Sequence, residues 1–135
     1  EATLPPGISL VALGETVEPV KAVKEPWEVE AIRRACRLAD DGCDFLTRTV
    51  RAGVSERRVA WELEVFLRTH GATRLGFDTI VGSGPNGAVV HGRAGDRLLG
   101  ASGGPEFVLI DFGCEVEGYH SDITRTFVVG GEPTE

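Results

Sequence analysis

Two aspartates, Asp111 and Asp122, are the residues whose type and position best fit chemistry. Asp111 stands inside the apolar run 108–112, where a carboxylate is costly unless it is paired or coordinated. Two carboxylates held together on rigid strands suit a divalent cation, because such ions prefer hard oxygen ligands. Alternatively, the same side chains could pair with Arg97 or Arg125, or stay in water. The residues alone leave both interpretations open.

A predicted β-hairpin decides whether the two carboxylates converge. Glu117-Gly118 is typical of a two-residue turn, which would place Asp111 opposite Thr124 in the neighbouring strand. The same turn would place Asp122 opposite Gly113. Because side chains alternate along a strand, one face would then carry Asp111, Asp122, Thr124 and Thr126, and the other Ile123 and Phe127. The two aspartates become diagonal neighbours, with Cα atoms about 7–8 Å apart.

The three histidines differ in their surroundings. His91 stands alone before Gly92, where it is either a tolerated histidine at a strand end or a catalytic group. His70 follows a helical segment and suits the negative end of that helix. His120 lies beside the predicted turn and is expected to be solvated. The sequence contains no evident His–Cys–Asp grouping for nucleophilic catalysis.

Residues 82–87 match the pattern G-x-G-x-x-G after a predicted strand. In a dinucleotide-binding fold a helix begins at the last glycine and holds the pyrophosphate at its N-terminus. Here the β-branched Val89 and Val90 follow, and Gly92 soon interrupts them. The motif therefore predicts a turn and not a nucleotide site.

Charge and cysteine content restrict the partners and the compartment. Fourteen Lys and Arg against 21 Asp and Glu give a net charge of −7, which disfavours nucleic acid and anionic membranes as main partners. No apolar run approaches the roughly 20 residues of a transmembrane helix. The three cysteines, Cys36, Cys43 and Cys114, cannot all pair with one another. They favour small buried hydrophobic side chains in a reducing cytoplasm.

The spacing of apolar residues predicts two helices followed by a sheet. One helix is expected from Pro26 to Ala52, with Ile32, Ala35, Ala39, Cys43, Leu46 and Val50 on its buried face. A second is expected between the capping residue Ser55 and Gly71, with Val59, Leu63, Phe66 and Leu67 buried. Strands are predicted at 77–83, 88–91, 107–112 and 120–129. This order predicts an α+β fold in which two helices pack on an antiparallel sheet.

These segments, taken in order, strongly resemble the pita-bread metallopeptidases, the group that includes aminopeptidase P, prolidase and methionine aminopeptidase. The resemblance covers roughly residues 21–131 and rests on VKEPWEVEAIRRA at 23–35, FDTIVGSGPNGA at 77–88, HG at 91–92, LIDFG at 109–113 and SDITRTF at 121–127. It implies that the sheet is the first half of a pita-bread fold.

The resemblance also implies a dinuclear site with two Asp, one His and two Glu ligands. Asp111 matches the aspartate that holds one metal ion through both oxygens, and Asp122 matches the aspartate that bridges the two ions. His91 matches a histidine that contacts the substrate and helps stabilise the tetrahedral intermediate. Two divalent ions (Mn, Co or Zn) would generate hydroxide from a bridging water and polarise the scissile carbonyl. Thr124 is expected to hold a ligand carboxylate.

The glycine-rich turn before His91 resembles the branch that cleaves Xaa-Pro bonds, since methionine aminopeptidases usually carry a Val-Asn-Glu type of sequence there. The implied activity is a metal-dependent exopeptidase, an aminopeptidase P or prolidase, that acts on peptides or dipeptides with proline at the second position. Three alternatives remain: a metal-free binding or scaffold module, a creatinase-like hydrolase that uses no metal, or an enzyme like methionine aminopeptidase.

The remaining ligands, one His and two Glu, are expected in a second half beyond Glu135. Residues 1–20 lack the apolar content for a core of their own and are expected to be the tail of a preceding domain and a linker, with a short strand at 8–13. Residues 21–135 would be the first half of the catalytic domain. Alone, these 135 residues are expected to be inactive and to hold essentially no metal. Exposed strand edges would favour a homo-oligomer.

Overall fold

The computed structural model describes residues 5, 7–12 and 14–132. The helices in these ranges are α1 (Glu18–Ala22), α2 (Pro26–Thr49) and α3 (Glu56–Thr69). The strands are β1 (Arg74–Leu75), β2 (Ile80–Ser83), β3 (Glu106–Phe112), β4 (Cys114–Val116), β5 (Tyr119–His120) and β6 (Ile123–Val129). A 3-10 turn at Gly84–Ala88 follows β2.

The helix α2 begins at Pro26 as predicted but ends before Ala52. Its buried face is displaced by about one position from the predicted one and consists of Ala31, Ala35, Leu38, Ala39, Gly42, Leu46 and Thr49. The displacement has a steric reason, since small side chains on this face let the sheet approach closely. A Cβ atom added to Gly42 would lie 3.1 Å from Cε2 of Phe112.

The helix α3 begins and ends as predicted. The Ser55 hydroxyl accepts a hydrogen bond from the Arg58 backbone N–H over 3.2 Å and so caps the first turn. Gly71 follows the helix with a φ of 117°, a conformation that favours glycine. The predicted face is mostly confirmed: Val59, Leu63 and Leu67 are fully buried, and Phe66 packs against them at the edge of the core.

The strands form two antiparallel sheets, ordered β2-β3-β6 and β1-β4-β5. Between β3 and β6, Asp111 pairs with Thr124, which is the register that the predicted turn requires. Glu117 and Gly118 have φ values of 52° and 83°, positive as both central residues of a type I′ turn must be. With α2 and α3 packed on these sheets, the predicted α+β fold class is confirmed.

A local crossing divides the predicted hairpin between the two sheets. Gly113 separates β3 from β4, and residues 121–122 separate β5 from β6. A Cβ atom on Gly113 would collide with the Ser121 carbonyl oxygen, so the two chains pass too closely here for a side chain. Asp122 therefore lies just before β6 and not inside a continuous strand.

The prediction of a strand at 88–91 is wrong. Backbone N–H groups of Val89 and Gly92 donate to the carbonyl oxygens of Asn86 and Val89, so the segment coils in successive turns. Val89 and Val90 are exposed. Because β-branched residues favour strands mainly where they pack against a sheet, these two valines do not stabilise a strand here.

Two further boundaries differ from the prediction. The strand expected at 77–83 begins only at Ile80. Residues 8–12 form no strand, and Leu13, the last residue of that prediction, lies outside the described residues. The short helix α1 begins in the expected linker and continues past its predicted end at residue 20.

The core lies between the helices and the sheets. Its largest fully buried side chains include Phe112 and Ile110 of β3, Leu46 of α2, and Leu63 and Leu67 of α3. This packing fixes the inner face of β3 and leaves the alternate residues of that strand, Asp111 among them, on the opposite face. In the described ranges, no helix is long and apolar enough to span a bilayer.

Candidate active site

An open cleft of about 710 Å³ brings the three predicted site residues together. His91, Asp111 and Asp122 all line it, although they come from a loop, a strand and a strand junction. The exposed side chain of Trp61 on α3 lines the same cleft. His91 and Asp122, which are 31 positions apart in sequence, thus lie at one concave surface. A concave surface is the usual form of a small-molecule site.

A hydrogen bond orients one of the two carboxylates. Asp111 is partly buried on the central strand β3, and the Thr124 hydroxyl donates to its Oδ1 atom over 2.7 Å. Asp122 is exposed at the start of β6. This hydrogen bond uses one of about four acceptor positions of the carboxylate, so both oxygens of Asp111 can still accept another partner.

The ion pairs that were the alternative interpretation are not formed. Arg97 Nη2 binds Glu106 Oε2 over 2.8 Å, and Arg125 Nη1 donates to the Thr124 carbonyl oxygen over 2.9 Å. Between residues 14 and 132, neither Asp111 nor Asp122 takes part in a salt bridge. Two carboxylates without an ion pair at one cleft could contribute to a cation site.

The donor set fits a divalent ion in kind but is incomplete. Among the residues with described positions, no cluster of three or more His, Cys, Asp or Glu side chains could hold a metal ion. Strong sites for such ions usually take four or more ligands. Asp111 and Asp122 could therefore supply only part of a coordination shell.

Thr79 is a polar residue of the cleft that the sequence analysis did not single out. It precedes Ile80, which pairs with Asp111, and its hydroxyl is buried without a hydrogen-bond partner in the described part of the chain. A buried hydroxyl without a protein partner is uncommon, so Thr79 is a candidate polar contact of the cleft. Thr79 belongs to the quoted FDTIV segment, but its residue type alone carries no such signal.

His91 lies on a turn and not at the end of a strand. Its φ of 54° is a left-handed conformation, which costs a residue with a side chain about 1–2 kcal/mol. Such strain persists only where the surroundings enforce it, and it is concentrated at functional positions.

A buried carboxylate that sequence analysis missed lies beneath the His91 loop. Glu56, fully buried at the start of α3, accepts hydrogen bonds from the Ser83 N–H and hydroxyl, both over 2.8 Å. It also accepts from the Asn86 side chain over 3.0 Å and from the Gly95 N–H over 3.0 Å. Burial alone would raise the pKa of Glu56, but these hydrogen bonds outweigh it and hold the pKa below its usual range. An acidic residue in a first helical turn is normally exposed, so its burial was not predictable from its position.

The other two histidines stay outside the cleft. His70 directs Nδ1 at the Phe66 carbonyl oxygen over 2.7 Å, consistent with the predicted position at the C-terminal end of α3. His120 is half exposed, but it is not simply solvated, because its Nε2 lies 2.8 Å from Glu115 Oε2. The contacts of Glu115 with His120 and with Arg74 lower the pKa of that carboxyl.

Comparisons with known proteins point to a single family. The model of metallopeptidase family M24 matches residues 30–135. An uncharacterised peptidase of Bacillus subtilis is 39% identical over 121 residues, which are 90% of this chain and 33% of the relative.

Two solved structures resemble the fold. The prolidase from Pyrococcus furiosus superposes with a TM-score of 0.83 at 34% identity, over 91% of this chain and 35% of its own. The X-Pro aminopeptidase from Thermotoga maritima gives a TM-score of 0.79 at 35% identity, over 88% of this chain and 33% of its own. The chain thus spans about a third of the length of the relatives that it matches.

Proposed function

Because the chain belongs to metallopeptidase family M24, we propose that the protein is a metal-dependent exopeptidase that hydrolyses the peptide bond before proline. The observation that carries the proposal is the meeting of His91, Asp111 and Asp122 at one cleft. The names of two similar structures, a prolidase and an X-Pro aminopeptidase, support the choice of substrate. The substrates would be peptides or dipeptides with proline at the second position.

In this proposal Asp111 and Asp122 would hold two divalent ions (Mn, Co or Zn) together with ligands from outside the described residues. When bound, the ions would supply a Lewis acid for the scissile carbonyl and activate water for attack. Asp122, exposed and free of ion pairs within the ranges described, would supply one of the charged ligands. Asp111 would bind through the carboxylate that Thr124 orients.

Other residues of the cleft would contact the substrate or orient a metal ligand. His91 would donate a hydrogen bond to the oxygen on which negative charge develops, as donors placed at such an oxygen do. The Thr124 hydroxyl would hold Asp111 in its binding orientation. Trp61 offers an exposed aromatic surface at the same cleft for apolar parts of a peptide.

We assign residues 21–135 to the first half of a pita-bread catalytic domain, and residues 1–20 to the end of a preceding domain and a linker. Cys114 is buried as predicted, but Cys43 is only partly buried and Cys36 is exposed. That these three cysteines form no disulfide is in keeping with a reducing cytoplasm. The edge strands of both sheets support a homo-oligomer.

A comparison of substrates tests the proposed specificity. The full-length gene product, supplied with Mn²⁺, Co²⁺ or Zn²⁺, is expected to release the first residue of Xaa-Pro peptides faster than that of Met-Ala peptides. Initial rates of amino-acid release measure this directly. Preference for Met-Ala would assign the protein to the methionine aminopeptidase branch. Failure to hydrolyse any peptide would favour the metal-free binding module.

The Thr124–Asp111 hydrogen bond gives a second prediction. Thr124→Val keeps a β-branched side chain on the strand but removes the donor, so metal affinity or kcat/KM of the full-length protein should fall about 10- to 100-fold. Metal competition titrations and initial rates measure the two quantities. Thr126→Val, an exposed position on the same face, is the matched control and should change neither. Equal effects of the two variants would contradict the role assigned to Thr124.

A further inference from the structure

The loop from residue 84 to 95 is attached at both ends to one carboxylate. At its beginning, Ser83 and Asn86 donate hydrogen bonds to Glu56 Oε1. At its end, the Gly95 N–H donates to Glu56 Oε2. His91, with its left-handed backbone, lies between these attachments.

The start of α3 adds backbone contacts to the same end of the loop. The Arg57 N–H donates to the Gly95 carbonyl oxygen over 2.9 Å, and the Glu56 N–H donates to the Arg97 carbonyl oxygen over 3.0 Å. Both donors belong to the first turn of a helix, where N–H groups have no partner within the helix. The loop and the helix therefore satisfy each other's polar groups.

The attachment also depends on a close approach at Gly82. A Cβ atom there would lie 2.9 Å from the Asn86 carbonyl oxygen and 3.0 Å from the Gly87 Cα, so the 3-10 turn folds directly over the strand. This fold-back brings the Asn86 side chain within reach of Glu56.

We infer that Glu56 is a positioning residue, which closes the 84–95 loop and thereby holds His91 in its strained conformation at the cleft. The inference rests on the proposed function for the meaning of His91, but the closure of the loop stands on the hydrogen bonds alone. A charged acceptor is suited to the task, because hydrogen bonds to an ionised group are about twice as strong as neutral ones. Glu56 touches no substrate in this account and acts only through the loop.

The buried Glu115 provides a matched control. It accepts a hydrogen bond from Arg74 Nε over 2.6 Å, and its Oε2 atom lies 2.8 Å from His120 Nε2. It thus joins β1 and β5 to β4, and neither Glu115 nor these two partners line the cleft. Both carboxylates stabilise the fold, but only Glu56 is expected to set the position of His91.

The test compares Glu56→Gln with Glu115→Gln in the full-length gene product. In Glu56→Gln one carboxylate oxygen becomes an NH₂ group that faces other donors, so one end of the loop is released. We expect kcat for an Xaa-Pro peptide to fall about 10- to 100-fold with KM nearly unchanged, because a displaced catalytic group costs rate and not ground-state binding. Glu115→Gln should lower the melting temperature without this loss of kcat. Asn86→Ala, at an exposed position, is the milder second variant and should lower kcat in the same direction.

The rate of trypsin cleavage after the exposed Arg93 measures how often the loop opens, without any assay of activity. Cleavage should accelerate at least about tenfold in Glu56→Gln and stay at the wild-type rate in Glu115→Gln, since cleavage follows local opening. Equal changes of kcat and of the trypsin cleavage rate in Glu56→Gln and its control would overturn the inference. Unchanged kcat and cleavage rate in both Glu56→Gln and Asn86→Ala would also overturn it. If the wild-type protein hydrolyses no Xaa-Pro peptide, the proposed function fails, and the trypsin measurement still decides whether Glu56 closes the loop.

Discussion

Replacing Asp122 by asparagine in the full-length protein is expected to lower kcat/KM for an Xaa-Pro peptide by at least about 1,000-fold, which corresponds to about 4 kcal/mol of transition-state stabilisation. Asparagine has nearly the same shape but no charge, so it would not offset the charge of divalent ions as a carboxylate would. The side chain is exposed and forms no ion pair within residues 14–132, so the fold should tolerate the change. Initial rates at saturating metal measure the effect.

Two controls separate metal loss from unfolding. Asp40→Asn, at an exposed position on α2, carries the same chemical change and should leave both rate and metal content unaltered. The melting temperature of metal-free Asp122→Asn should match that of the metal-free wild type. A variant that keeps wild-type turnover would show that Asp122 is not a ligand.

Replacing His91 by asparagine is expected to lower kcat about 100- to 1,000-fold, the usual effect of removing one hydrogen-bond donor to a developing oxyanion. Asparagine is chosen because it tolerates a left-handed backbone better than most residues, and His91 has a φ of 54°. The variant therefore removes the imidazole with little change to the loop. Metal content should stay at the wild-type level, because His91 is not a ligand in this account.

Measurement of metal content and of rate in one preparation decides the role of His91. Loss of bound metal together with activity would assign His91 to the coordination shell and contradict the proposal. His70→Asn, at the C-terminal end of α3 and outside the cleft, is the control that should affect neither quantity. Unchanged kcat in His91→Asn would remove the histidine from the mechanism.

The pairing of Asp111 with Thr124 was predictable because a two-residue turn fixes register. Once Glu117-Gly118 is identified as the turn, every pair that follows is determined by counting. The division of the hairpin into two sheets was not predictable in the same way. It depends on the close crossing at Gly113, which is a contact between distant backbone atoms and leaves no periodic signal in the sequence.

The loop that carries His91 shows where local preference fails. Val89 and Val90 favour a strand, but the buried carboxylate of Glu56 attaches the chain on both sides of them and stabilises turns instead. The sequence places Glu56 in a first helical turn, where acidic residues usually face water. Its burial depends on donors from residues 83, 86 and 95, which only the tertiary fold brings together.

Anomalous diffraction from crystals of the full-length protein grown with Zn²⁺ would show whether Asp111 and Asp122 are metal ligands. We expect anomalous density at the cleft, with oxygens of both aspartates about 2.0–2.2 Å from a zinc ion. If crystals of active enzyme showed anomalous density only elsewhere, with both carboxylates free of metal, Asp111 and Asp122 would not be ligands.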